Sequence, residues 1–155
     1  MCDKEMTYEW CSGEQYSERI SSFLKAIDEI MIPRLSQRVD INEYACKLAC
    51  NADTIFIKKE GEDIGSCSLY CNRCNAFISS IAVKKEFVNN HIATKLLKEV
   101  IKHAKGRECV KISLEVYNKN VAAVRLYQKA GFCIVNKNGS WKKMEINLKN
   151  GEDIK

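Results

Sequence analysis

The sequence predicts an α/β fold: a mixed, largely antiparallel central sheet of about seven strands, flanked by about four helices, in which adjacent parallel strands form a ligand crevice. Two strand–turn–helix units in succession, within residues 77–132, carry that expectation. Short alternating segments joined by turn residues on either side supply the antiparallel remainder. At 155 residues the chain suits one domain, 1–155, with a single sizeable core and with residues 1–6 and 149–155 fraying at its ends.

In chain order, Met6, Tyr8 and Trp10 mark one face of a first strand. From Tyr16 a helix is expected, because Ile20, Phe23, Leu24, Ile27, Ile30 and Met31 fall on one side of a 3.6-residue period. Pro33 closes it, since the residue before proline avoids helical backbone. A short polar connection, 35–40, leads to Asp40, which caps a second helix with Glu43 at the capping-box position and Tyr44 and Leu48 facing inward. Ile55, Phe56 and Ile57 read as a strand, 60–63 as a turn and 64–70 as the hairpin partner. The strand 77–83 completes a three-stranded meander.

The first strand–helix unit then turns through Val88, Asn89, Asn90 and His91 into a helix whose Ile92, Leu96, Leu97, Val100 and Ile101 recur at helical spacing. A helix starting beyond a strand end presents unpaired N–H groups and the positive end of its dipole, which suits a phosphate. The second unit alternates through 110–116, passes the turn and cap residues Asn118 and Asn120, and continues as a helix carrying Val121, Val124, Leu126 and Tyr127. Gly131 is placed to end it. Residues 133–135 and 141–148 read as the last two strands, with 136–139 as their turn and Asn138-Gly139 as the hairpin signal.

Composition narrows the classes. The chain is 46% hydrophobic and 29% charged, which marks a folded globular protein. No apolar run approaches the length that spans a bilayer, and the charged start lacks a signal-peptide core, so a cytoplasmic location and no membrane partner are expected. The net charge of +5 is spread over isolated lysine pairs, which argues against nucleic acid while favouring an anionic ligand. Nine cysteines without paired spacing read as reduced thiols. Cys71 and Cys74 have the spacing of a zinc or redox pair, but no second pair accompanies them, and the expectation is no metal.

Residues 83–97, and above all Leu114-Glu115-Val116 followed by Asn120, Ala122, Ala123, Leu126-Tyr127, Lys129 and Gly131-Phe132, resemble the GNAT superfamily of acyl-CoA-dependent N-acetyltransferases. One departure stands out. Where that family places glycines in the first turn, this chain has Asn89, Asn90 and His91, and only the small Ala93 is kept. Asparagine is among the best non-glycine residues for the left-handed backbone such a turn needs.

The resemblance implies acetyl transfer from acetyl-CoA to a primary amine by direct attack, with no metal. It places the pantetheine arm along Ile81, Ala82 and Val83, and near Asn120 and Ala123. The pyrophosphate falls to the N–H groups of Val88, Asn89, Asn90, His91, Ile92, Ala93 and Thr94. Tyr127 becomes the acid that protonates the leaving sulfur and Glu115 the base, with Arg38, Asp40, Tyr70 and Tyr117 at the acceptor, a small-molecule or peptide amine. Each has a plainer reading: a bare turn, a core tyrosine, a strand glutamate, a helix cap, packing aromatics. An acyl-CoA-binding module without catalysis, a nucleotide-binding or zinc-stabilised module, and a homodimer also stay open.

Overall fold

The computed structural model describes residues 6–88 and 91–148. Asn89 and Asn90, and the segments 1–5 and 149–155 where fraying was expected, lie outside the described residues. Met6, expected to fray, opens the first strand.

Seven strands form one mixed sheet in the order β1-β2-β3-β4-β5-β7-β6. They are β1 (Met6–Cys11), β2 (Asp53–Lys59), β3 (Glu62–Asn72), β4 (Asn75–Val83), β5 (Lys111–Tyr117), β6 (Cys133–Asn138) and β7 (Trp141–Asn147). Among the described residues only β4 and β5 pair in parallel. The helices are α1 (Ser17–Ile27), α2 (Ile41–Asn51), α3 (Ile92–Gly106) and α4 (Val121–Ala130).

The pleat sorts the core into two layers. On β2, Phe56 joins a cluster built from α1 and α2, while its neighbours Ile55 and Ile57 join the cluster beneath α3 and α4; all three are fully buried. Gly65 on β3 lets α3 come close, for a Cβ there would stand 2.9 Å from Ile57 Cγ2 and 3.1 Å from Ile92 Cγ2. Gly131, at φ 111°, ends α4 as its sequence position predicts, with the Phe132 amide donating to the Tyr127 carbonyl.

Three boundaries differ from expectation. The first helix leaves α-geometry at Ile27, well before the cis Ile32–Pro33 bond, and passes into a 3₁₀ turn, Asp28–Ile30. The last hairpin turns at Gly139 and Ser140, with Asn138 paired to Trp141, so β6 runs through residues expected in the turn. Arg73 and Cys74 make the β3–β4 turn between paired Asn72 and Asn75. In the first two, local turn signals were correct in kind and displaced by a side chain or by strand pairing; in the third, strand pairing carries β3 and β4 beyond their expected ends.

That side chain is Asp28. Its carboxylate, buried, accepts from the Ser36 amide at 2.8 Å, the Ser36 hydroxyl at 2.7 Å and Arg34 at 3.2 Å. The connection between α1 and α2 is therefore tied to the end of α1. Chiefly the Ser36 hydroxyl and amide, and then Arg34, hold the Asp28 carboxyl below its usual value. A carboxyl lowered in the fold adds stability that is present above its unfolded pKa of 3.8 and fades as pH falls through the folded value. Asp28→Asn is expected to lose about 1.5–3 kcal/mol at neutral pH. In urea titrations the gap to the parent should close as pH drops below 3.8; an equal gap at acid and neutral pH would remove Asp28 as the anchor.

Candidate active site

The sheet opens where its two parallel strands part. β4 and β5 are paired only from Asn75–Lys111 to Ile78–Leu114, after which β4 keeps β3 on one side and has no strand on the other. A cleft of about 690 Å³ fills the gap. Its β4 wall runs from Phe77 to Val83 and its β5 wall from Leu114 to Tyr117; Val88 lies in the turn before α3 and Ala93 in its first turn, with Asn120 capping α4 and Ala123, Leu126 and Tyr127 on it. The α1–α2 connection closes another side with Met31, Leu35, Arg38 and Val39.

A bulge marks the parting. Ser68 faces Ser80, whereas the next residue, Leu69, faces Ile78, so Ser79 is an extra residue on β4. Tyr44, on α2, reaches across to it. Its hydroxyl donates to the Ser79 carbonyl at 3.0 Å and shares a short hydrogen bond with the Ser79 hydroxyl. Burial raises the Tyr44 phenol pKa, the Ser79 bond partly opposing it, so the hydroxyl stays a donor. The sequence placed Tyr44 on the inner side of its helix and gave no sign of the bulge, which depends on pairing between distant strands.

Of the predicted residues, Ile81, Ala82, Val83, Val88, Ala93, Asn120, Ala123, Tyr127, Glu115, Arg38 and Tyr117 all line this cleft. Tyr127 is only 7% exposed, and no hydrogen-bond partner for its hydroxyl is found among the described residues. Burial drives its phenol well above the ordinary pKa, keeping it protonated. Glu115 is exposed on β5, two residues from Tyr117 on the same face of the strand. Tyr117 meets Trp141 edge-on at 5.5 Å, and the Arg38 guanidinium lies 5.2 Å from the Trp141 ring centre. Trp141, also in the cleft, was read from sequence only as the start of a strand.

Other predicted residues take different places. Asp40 caps α2, accepting from the Glu43 amide at 3.0 Å, and does not line the cleft. Tyr70 packs against the α1–α2 core. Asn120 serves both as lining and as the cap of α4, accepting from the Ala123 amide at 3.3 Å. His91 is the N-cap residue of α3 at φ 61°, and its side chain does not cap the amides of Ile92, Ala93 and Thr94, as Asp40 does for α2 and Asn120 for α4. The side chain of Ile92 is buried, which leaves only its backbone for a ligand.

This architecture is the one found in solved acetyltransferases. An IAA acetyltransferase from Bacillus cereus ATCC 14579 superposes with a TM-score of 0.70 over 92% of this chain and 99% of that one, at 24% identity. The PaiA N-acetyltransferase of Thermoplasma acidophilum, solved in complex with coenzyme A, gives a TM-score of 0.72 over 91% and 99%, at 17% identity. In sequence, a candidate ribosomal protein bS18-alanine N-acetyltransferase of Bacillus subtilis (strain 168) is 30% identical over 80 residues, which span 52% of this chain and 53% of that protein. The model of the Acetyltransferase (GNAT) family matches residues 17–132, and the chain belongs to that family.

The Tyr44–Ser79 contact is open to a direct check. Tyr44→Phe keeps the ring and strands the bulged carbonyl, so unfolding free energy should fall by about 1–3 kcal/mol. Amide exchange at Ser80 and Ile81 should accelerate while exchange in α4 stays put. Unchanged exchange along β4 would show that the bulge holds itself.

Proposed function

We propose that the chain transfers an acetyl group from acetyl-CoA to a primary amine, by direct attack while both reactants sit in the cleft. The observation that carries this reading is Tyr127: protonated, nearly buried, without a protein partner among the described residues, and lining the gap between β4 and β5.

The cleft suits an elongated amide-bearing arm. β4 beyond Ile78 has an open edge, and peptide groups of Ile81, Ala82 and Val83 offer it backbone partners, with Asn120 and Ala123 opposite. The uncapped first turn of α3, with Val88, suits the pyrophosphate. Acetyl-CoA supplies an acyl group already activated as a thioester. The protein's own part is to orient, to exclude water and to move two protons. Glu115 takes a proton from the acceptor's ammonium group, freeing the nitrogen lone pair. As the new C–N bond forms and the C–S bond breaks, Tyr127 gives its phenolic proton to the sulfur. Arg38 and Tyr117, grouped around Trp141, hold the rest of the acceptor, a small-molecule or peptide amine.

Two measurements on one preparation test this. Acetyl-CoA at roughly a hundred times its dissociation constant should stabilise the fold by about 2.7 kcal/mol. Tyr127→Phe should keep that stabilisation and lose about a hundred- to ten-thousand-fold in turnover. Because burial raises the Tyr127 pKa above its ordinary value of 10, turnover should climb as the acceptor amine deprotonates and show no alkaline fall below pH 10. Full activity in the Phe variant would overturn the role of Tyr127. Stabilisation without turnover in the parent would favour an acyl-CoA-binding module.

A further inference from the structure

A second cluster of reactive side chains lies away from the cleft, where Asp53 opens β2, Cys71 nears the end of β3 and His103 rides on α3. A carboxylate oxygen of Asp53, the Cys71 sulfur and a ring nitrogen of His103 all lie within 4.8 Å of one another. None of the three lines the cleft. The three elements are brought together by the fold, so no spacing in the sequence announces the group.

Its surroundings have the character of a supported ligand set. The His103 ring is stacked on Trp10, centroids 3.8 Å apart and planes 17° from parallel, which fixes the ring's orientation. Its Nε2 faces Asp53 Oδ2 at 2.9 Å. The other oxygen of Asp53 accepts from the Ser12 hydroxyl at 3.0 Å. Cys71 is half-buried beside the thiol of buried Cys109, which itself contacts the Arg73 carbonyl at 3.9 Å. Imidazole, thiolate and carboxylate together are the donors that Zn²⁺ takes, and a tetrahedral site sets its donors about 3.5 Å apart. The observed spread is therefore within a small contraction of a bound geometry.

We propose that Asp53, Cys71 and His103 form a three-residue Zn²⁺ site, with water completing the tetrahedron. Binding takes the place of the His103–Asp53 hydrogen bond, the imidazole binding in its neutral form, and releases the Cys71 proton to water. One present contact opposes the cation. Arg107, whose side chain is half exposed, also donates to Asp53 Oδ2, and must swing into solvent when the metal takes that oxygen. The bound ion would then tie β2, β3 and α3 at one point, near the end of β3 opposite Gly65.

Cobalt is the probe. The full-length chain, reduced and freed of metal, is titrated with Co²⁺ and then competed with Zn²⁺. One equivalent should bind, with the visible bands of tetrahedral cobalt and a thiolate-to-cobalt charge-transfer band. Cys71→Ser should abolish the charge-transfer band, and His103→Gln should weaken binding by about a hundredfold. Arg107→Gln, a change at an exposed position, should tighten binding, a result that a plain ion-pair cluster does not produce. Thiols 46 and 50, both exposed and one helical turn apart, are the obvious competitors. Changing Cys46 and Cys50 to Ser together should leave the spectrum intact. The proposal fails if no tetrahedral cobalt signal appears, if the signal vanishes only with Cys46 and Cys50, or if Arg107→Gln leaves affinity unchanged.

Discussion

The parting of β4 from β5 is the constraint on which the rest of this molecule depends. Four residue pairs hold the two strands in parallel register, and beyond Ile78 and Leu114 they separate. Separation leaves backbone polar groups without a strand partner, which a folded protein tolerates only where water or a ligand can satisfy them. The bulge at Ser79 assists by bending β4, and the Tyr44 hydroxyl fixes the bulge from the opposite layer. The bulged wall of the cleft is thus tied to α2 by the two hydrogen bonds of one tyrosine hydroxyl.

The α1–α2 connection depends on a comparable device. Apolar residues Ile30 and Ile32 remain exposed there, 38% and 53%, and face the cleft instead of joining either core layer. A segment with so little burial needs another source of order. Asp28 supplies it through three hydrogen bonds to residues 34 and 36, which places Leu35 in the core and Arg38 over Trp141. If Arg38 holds the acceptor as proposed, affinity for it and stability of this connection are coupled, because the same carboxylate underlies both.

Legibility in the sequence followed locality. The run from Asn120 to Phe132 combines a cap, an apolar face and a terminal glycine within one helix, and the structure shows all three where expected. The three-stranded meander was legible for the same reason. Tyr44 and Ser79 stand 35 residues apart, and their contact needs α2, β3 and β4 in place. Asp53 and His103, 50 residues apart, are similarly silent until the sheet forms. Cys71 drew notice through its nearest cysteine, yet Cys74 sits exposed in the turn while Cys71 looks toward Cys109 and His103. Sequence neighbours on a hairpin tip were a poor guide to spatial ones.

The two ends of the cleft have diverged unequally from the family resemblance, and the chemistry accounts for the difference. Under the proposed function, the requirement at α4 falls on side chains: a phenol at position 127 and an amide at position 120 cannot be replaced by backbone. At α3 the requirement falls on N–H groups, which every residue but proline carries. His91 takes the left-handed conformation that glycine usually serves, at a cost of about 1–2 kcal/mol in backbone energy. That conformation aims the chain into α3, and the His91 side chain leaves the first-turn amides to a ligand, as the proposed pyrophosphate site requires. What the substitution removes is room, since an exposed imidazole now stands at the mouth of the turn. On this reading, the altered turn changes how closely a pyrophosphate approaches the backbone and leaves the reacting end of the cleft untouched.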